Sequence, residues 1–128
     1  MVSVDPYINE TTQHATVILP PTSPLEHDHY DLIFNHFAVR NTAKYSAAVF
    51  EKAEDSLHDW EIFTELGKRL ASKLGQEPRQ SVAPDQIVDF GLQNGAYDLS
   101  LDQLKAKPEG VDLGPLRSVM PERLATAG

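Results

Sequence analysis

The chain has 128 residues, enough for one domain with a modest core, and its apolar fraction of 41% suits globular folding. A formal net charge of −8 with no Lys/Arg cluster argues against a nucleic-acid or anionic-membrane surface, although backbone amides at a helix start could still hold phosphate. The absence of cysteine removes disulfides, thiolate catalysis, iron–sulfur ligation and cysteine-rich zinc sites, and no apolar run reaches transmembrane length.

Val2-Ser3-Val4 alternates like a strand and Asp5-Pro6 stops it. Strand residues this close to Met1 lead us to expect a piece of a longer chain. Asn9 or Thr11 could cap a short helix through Thr12-Gln13-His14-Ala15. Val17-Ile18-Leu19 is a short β-branched run that reads as a buried strand, ended by Pro20-Pro21. The spacing just permits a crossover, so the two strands are expected to be parallel neighbours. A polar loop follows with Glu26, His27, Asp28, His29 and Asp31. Tyr30, Ile33, Phe34, Phe37 and Ala38 then fall at helical spacing, which predicts a helix from Asp28 to Val39 capped by Asp28. Arg40 to Ser46 carries no readable pattern, and Glu51 to Asp55 reads as an acidic linker.

The clearest helix is Asp59 to Leu74, with Asp59 as N-cap and Trp60, Phe63, Leu66, Leu70 and Leu74 in one apolar stripe. Glu65 precedes Lys68 and Arg69 favourably, and Gly75 followed by Pro78 ends the helix. A second helix is predicted from Pro84 to Gln93, stopped by Asn94-Gly95, and Ser100-Leu101-Asp102-Gln103 opens a third as a capping box. Residues 111–128 read as an extended tail of a single domain spanning 1–128. The expected core holds Val17, Leu19, Trp60, Phe63, Leu66 and Leu70.

Three places invite chemistry. His27-Asp28-His29-Tyr30-Asp31 alternates imidazole and carboxylate, as zinc or iron ligands can. Against that, one short loop would have to supply three ligands, so no metal site is expected. Asp5 ends a strand, where α/β folds often place a ligand-reading acid, but Asp-Pro also forms turns. Asp59 is either a helix cap or a ligand acceptor. No glycine-rich phosphate loop, nucleophile elbow or zinc-protease motif occurs, so the residues alone point to a ligand-binding or interaction domain without its own chemistry.

The stretch VSVDPYINETTQHATVILPPTSPLEHDHYD resembles the molybdopterin-dependent oxidoreductases, the dimethyl sulfoxide reductase and formate dehydrogenase superfamily. That family shows a strand ending in Asp, a Thr-Glu-Thr-type segment, a nearby Ala-Asp, a strand ending Leu-Pro, and a Glu-Lys or Glu-Gly loop. Here the corresponding parts are Asp5, Asn9-Glu10-Thr11-Thr12, Ala15-Thr16, Leu19-Pro20 and Glu26-His27. The likeness continues through VRNTAKYSAAVF and DWEIFTELGKRLA, and GVDLGPLRSVMPERL also looks like the tail of some members. Two positions depart from the pattern. Thr16 stands for the usual Asp, and His27 for a Lys, so a constant charge gives way to an imidazole.

The resemblance implies a helix-rich α/β fragment of a three-layer molybdopterin-binding domain with a small parallel sheet. It implies Asp5, His27 and Asp59 as contacts to the nucleotide of a bis-molybdopterin guanine dinucleotide held by the full-length enzyme. No catalytic residue is implied here, since the molybdenum ligand lies in another part of such enzymes, and no cofactor is expected on the isolated chain. The expected partners are the remaining domains of a formate dehydrogenase-like oxidoreductase, with no nucleic acid, no membrane and a cytoplasmic location. The alternative is a non-catalytic acidic interaction module of the same fold.

Overall fold

In the computed structural model, residues 1–116 are described. The elements in order are β1 (Val2–Val4), a 3-10 turn (Thr12–His14), β2 (Val17–Leu19), β3 (His29–Tyr30) and a second 3-10 turn (Phe34–Phe37). Next come β4 (Arg40–Ala43), β5 (Tyr45–Ser46), α1 (Asp59–Lys73), α2 (Pro84–Gln93), α3 (Leu101–Lys105) and β6 (Val111–Pro115). The architecture is therefore mixed α/β, with three helices and three two-stranded sheets among the described residues. The chain divides into two compact units, the first made of Met1–His29 and Ala47–Ile87, the second of Tyr30–Ser46 and the chain from Val88 onward.

In the first unit β1 and β2 pair in parallel, Val2 opposite Val17 and Val4 opposite Leu19, as their spacing predicts. The connection between them is held by side chains that imitate a helix start. Asn9 Oδ1 accepts the amides of Thr11 (2.9 Å) and Thr12 (3.0 Å). The buried Thr12 hydroxyl accepts the Asn9 amide at 2.8 Å and donates to the Tyr7 carbonyl at 3.0 Å. Side chains that bond local backbone in this way favour caps and turns over regular helix, and a single 3-10 turn results.

Helix α1 runs where its apolar periodicity placed it, but its N-cap is His58 and Asp59 is the first helical residue. The reason is that Glu61 reaches back: its Oε2 accepts the His58 amide at 2.8 Å, so the helix is capped one residue earlier. At the other end Gly75 has φ +66, its amide reaches the Ser72 carbonyl at 3.3 Å, and the Gln76 amide reaches Ala71 at 2.9 Å. That is a Schellman stop, and a left-handed backbone is what makes glycine the fitting residue there.

The second unit is built around β4, β5, β6 and α3. β4 and β6 are antiparallel with a shift between Asn41 and Thr42, where Leu113 is the extra residue beside Gly114 at φ +95. Ala43, Tyr45, Leu101 and Leu104 form the buried centre, with Tyr30, Val88, Leu92, Leu99, Val111 and Leu113 packed around it. A five-residue helix does not stand alone. α3 is held by the predicted capping box of Ser100 and Gln103, by Asp89 Oδ1 accepting the Leu101 amide at 2.8 Å, and by burial of Leu101 and Leu104.

Several expectations are overturned. No helix spans Asp28 to Val39: β3 pairs with β5, and one 3-10 turn covers Phe34–Phe37. Asp28 does not cap it, because its Oδ1 accepts the Ala48 amide at 2.7 Å; Asp31 instead takes the amides of Ile33 and Phe34, both at 2.8 Å. The unread stretch after it forms β4 and β5. The expected core is also wrong: Val17, Phe63, Leu66 and Leu70 are exposed, Leu19 and Trp60 are only half-buried, and Ile62 is the buried residue of α1. A periodic stripe shows which side chains share a face, not that the face is covered. Of the tail, residues 111–115 form β6, and residues 117–128 lie outside the described residues.

Candidate functional site

The loop leaving β2 is bound to the start of α1. The two prolines end the strand, and the next residue, Thr22, turns inward with 6% of its surface exposed. Its amide donates to the Leu57 carbonyl at 3.0 Å, and its hydroxyl lies 2.7 Å from His58 Nδ1. Downstream, Ser23 and Glu26 close a small turn: the Ser23 amide donates to Glu26 Oε2 at 2.8 Å and the Glu26 amide to the Ser23 carbonyl at 3.0 Å. The Leu25 carbonyl accepts the amides of Val49 and Phe50. The loop is therefore fastened at both its ends, to α1 and to the segment that precedes the acidic linker.

Around His58 several ionisable groups gather. Its ring stacks with Trp60 at 6.5 Å and 17°, and the His27 ring meets it edge-on at 6.1 Å. Lys52 Nζ is 2.7 Å from Glu61 Oε2, and neither side chain is more than a third exposed. Burial alone would push the Glu61 carboxyl upward, but the Lys52 ammonium and the His58 amide outweigh it and hold it below the usual carboxylate range. The Ser23 amide, assisted by the Ser23 hydroxyl and the neighbouring imidazoles, lowers Glu26 likewise. Glu26, Asp28, Glu51, Lys52 and His58 line a concavity of about 320 Å³ there.

Of the sequence-predicted residues, His27 is brought to the N-terminus of α1, one residue from Asp59 through its ring contact with His58. Asp59 is exposed and its Oδ1 accepts the Trp60 amide at 2.7 Å. Asp5, half-buried after β1, accepts the Tyr7 amide at 2.9 Å through Oδ1 and Asn9 Nδ2 at 3.2 Å through Oδ2. Its turn-forming role is thus realised, and lone pairs remain on both oxygens for a further donor. Neither Asp5 nor Asp59 lines the concavity beside His58. Among the described residues no three His, Cys, Asp or Glu side chains are grouped to hold a metal ion, and His29 does not join the His27 cluster.

As acceptors, the two aspartates fit a ligand edge that offers N–H or O–H donors, as guanine and ribose do. Asp59 is exposed at a helix start. Sequence reasoning missed Thr22, Lys52, His58 and Glu61. The available signal was His58-x-x-Glu61, a capping-box spacing with an uncommon capping residue. No family model, curated protein or solved structure matches the chain. Among the described residues no helix is long and apolar enough to cross a membrane.

Proposed function

We propose that this chain is a cofactor-binding segment of a molybdenum-dependent, formate dehydrogenase-like oxidoreductase, without turnover of its own. In this reading Asp5, His27 and Asp59 contribute contacts to the nucleotide of a molybdopterin guanine dinucleotide. What supports it is the parallel β1–β2 pair with its consequences: Asp5 follows the first strand, and the loop from the second is tied by Thr22 to the helix start that bears Asp59. Ligand-reading groups in α/β folds cluster at such carboxyl ends of parallel strands. The remaining domains of the enzyme are the proposed partners, which fits the exposed stripe of Phe63, Leu66, Leu70 and Leu74 on α1.

A segment that supplies one wall of a site encloses little of its ligand, so affinity should be weak. Titration of isotope-labelled chain with guanosine monophosphate should move the amides near Asp5, His27 and Asp59, with Kd near or above about 1 mM, some −4 kcal/mol. Asp59→Asn should weaken this further. Equal shifts with adenosine monophosphate, or shifts confined to other residues, would overturn the reading.

A further inference from the structure

A second crevice, wholly within the second unit and independent of the nucleotide reading, is lined by Tyr30, Asp31, Asn41, Gly91, Leu92 and Tyr97 among others, and encloses about 320 Å³. That is the lower end of the range for small-molecule sites. Its floor is apolar, since Leu92, Leu99 and Leu113 belong to the packed surround of the core. Its rim is polar and fixed: Asn41 Nδ2 donates to the Tyr97 hydroxyl at 2.7 Å, and Asn35 Nδ2 donates to the Thr42 carbonyl at 3.1 Å. The Tyr97 phenol, used there as an acceptor, keeps its own proton for a guest.

Gly91 is the informative residue. It sits inside α2, where glycine costs about 1 kcal/mol relative to alanine. No positive φ requires it, and a Cβ built there would meet nothing within 4 Å. Neither backbone nor packing requires glycine here, and Gly91 lines the crevice, so its missing side chain leaves that wall open to a guest. Charge then selects the guest. Among the described residues of the lining, Asp31 is the one acidic side chain and there is no Lys, Arg or His. Arg40, on the adjoining strand, is committed to Asp112 at 2.8 Å. Burial, followed by the Asp31 charge, holds the Tyr30 phenol above its ordinary value, and both residues line the crevice. Tyrosine faces beside a carboxylate attract an organic cation.

We propose that this crevice binds a small organic cation with an apolar or aromatic body, the ammonium at Asp31 and the body against Leu92 and the tyrosine rings. Benzylammonium, benzyl alcohol and benzoate serve as probes of one shape and three charges, titrated into the isotope-labelled full chain. Benzylammonium should shift the amides of Asn41, Gly91 and Tyr97 and bind at least about tenfold more tightly than benzoate, a difference of some 1.4 kcal/mol. Asp31→Asn keeps an oxygen for the Ile33 and Phe34 amides and should remove the preference for the cation over the alcohol. Gly91→Leu should abolish binding with an unchanged circular dichroism spectrum, and Gly91→Ala, which favours the helix, should weaken it. Failure of benzylammonium to bind, equal binding of benzoate, or unchanged affinity in Gly91→Ala would overturn the proposal.

Discussion

Thr22 and Glu61 carry more of the first unit than their size suggests. Replacing Thr22 by Val keeps the shape but leaves His58 Nδ1 without the hydroxyl 2.7 Å away, in a half-buried place. An unmade bond of this kind costs about 1–3 kcal/mol, and we expect a lowered midpoint in urea unfolding of Thr22→Val. A midpoint within error of the wild type would mean that water replaces the hydroxyl. Glu61 has a depressed folded pKa, so its contribution is present above the unfolded value and is lost as pH falls through the folded one. Thermal melts between about pH 5 and pH 3 should therefore fall less steeply for Glu61→Gln than for wild type. Parallel curves would show that the Lys52 pair and the His58 amide do not discriminate between its charge states.

At the scale of elements, the contrast lies between α3 and α1. Leu104 is fully buried, and Leu104→Ala should cost about 2–5 kcal/mol by urea unfolding. Leu66 on the longer and more regular α1 is 53% exposed, so Leu66→Ala should cost below about 1 kcal/mol in the isolated chain. The reverse order would mean that the stripe, not α3, is the packed face. What the sequence made legible follows from local chemistry. The Pro84 start, the Gly75 stop and the Ser100 box depend on residues within a few positions of one another, and the parallel strands pair across only 15 residues, Val2 with Val17. What it hid depends on partners far along the chain. β4 gains its identity from β6 some seventy residues away, and Tyr30 is drawn into a strand by β5 although its neighbours share a helical period. Ala43 and Tyr45 do alternate inward around Lys44, a two-residue signal too short to stand out. At the site, Asp5 and Asp59 were visible as residue types, whereas the His58 cluster required Lys52, Thr22 and His27 to meet through folding.

For the molecule as a whole, the buried apolar side chains among the described residues are Ala43, Tyr45, Ile62, Leu101 and Leu104, most of them in the second unit. The first unit buries Thr12 and Thr22 and leaves Phe63, Leu66, Leu70 and Leu74 in the open. Apolar side chains left exposed along one helix stripe suit an interaction face, and under the proposed function the remaining oxidoreductase domains supply its cover. The consequence for the isolated chain can be measured. A dye that fluoresces on apolar surfaces should bind the native protein, and Phe63→Glu with Leu70→Glu should remove most of that signal. Both side chains are more than half exposed, 58% and 55%, so the double variant should leave the thermal midpoint within a few degrees, about the scale of ordinary surface changes. Loss of fluorescence with an unchanged midpoint is the signature of a face presented to a partner. A collapse of the midpoint would mean that the stripe already has a cover within this chain, and the partner assigned to it would no longer be needed.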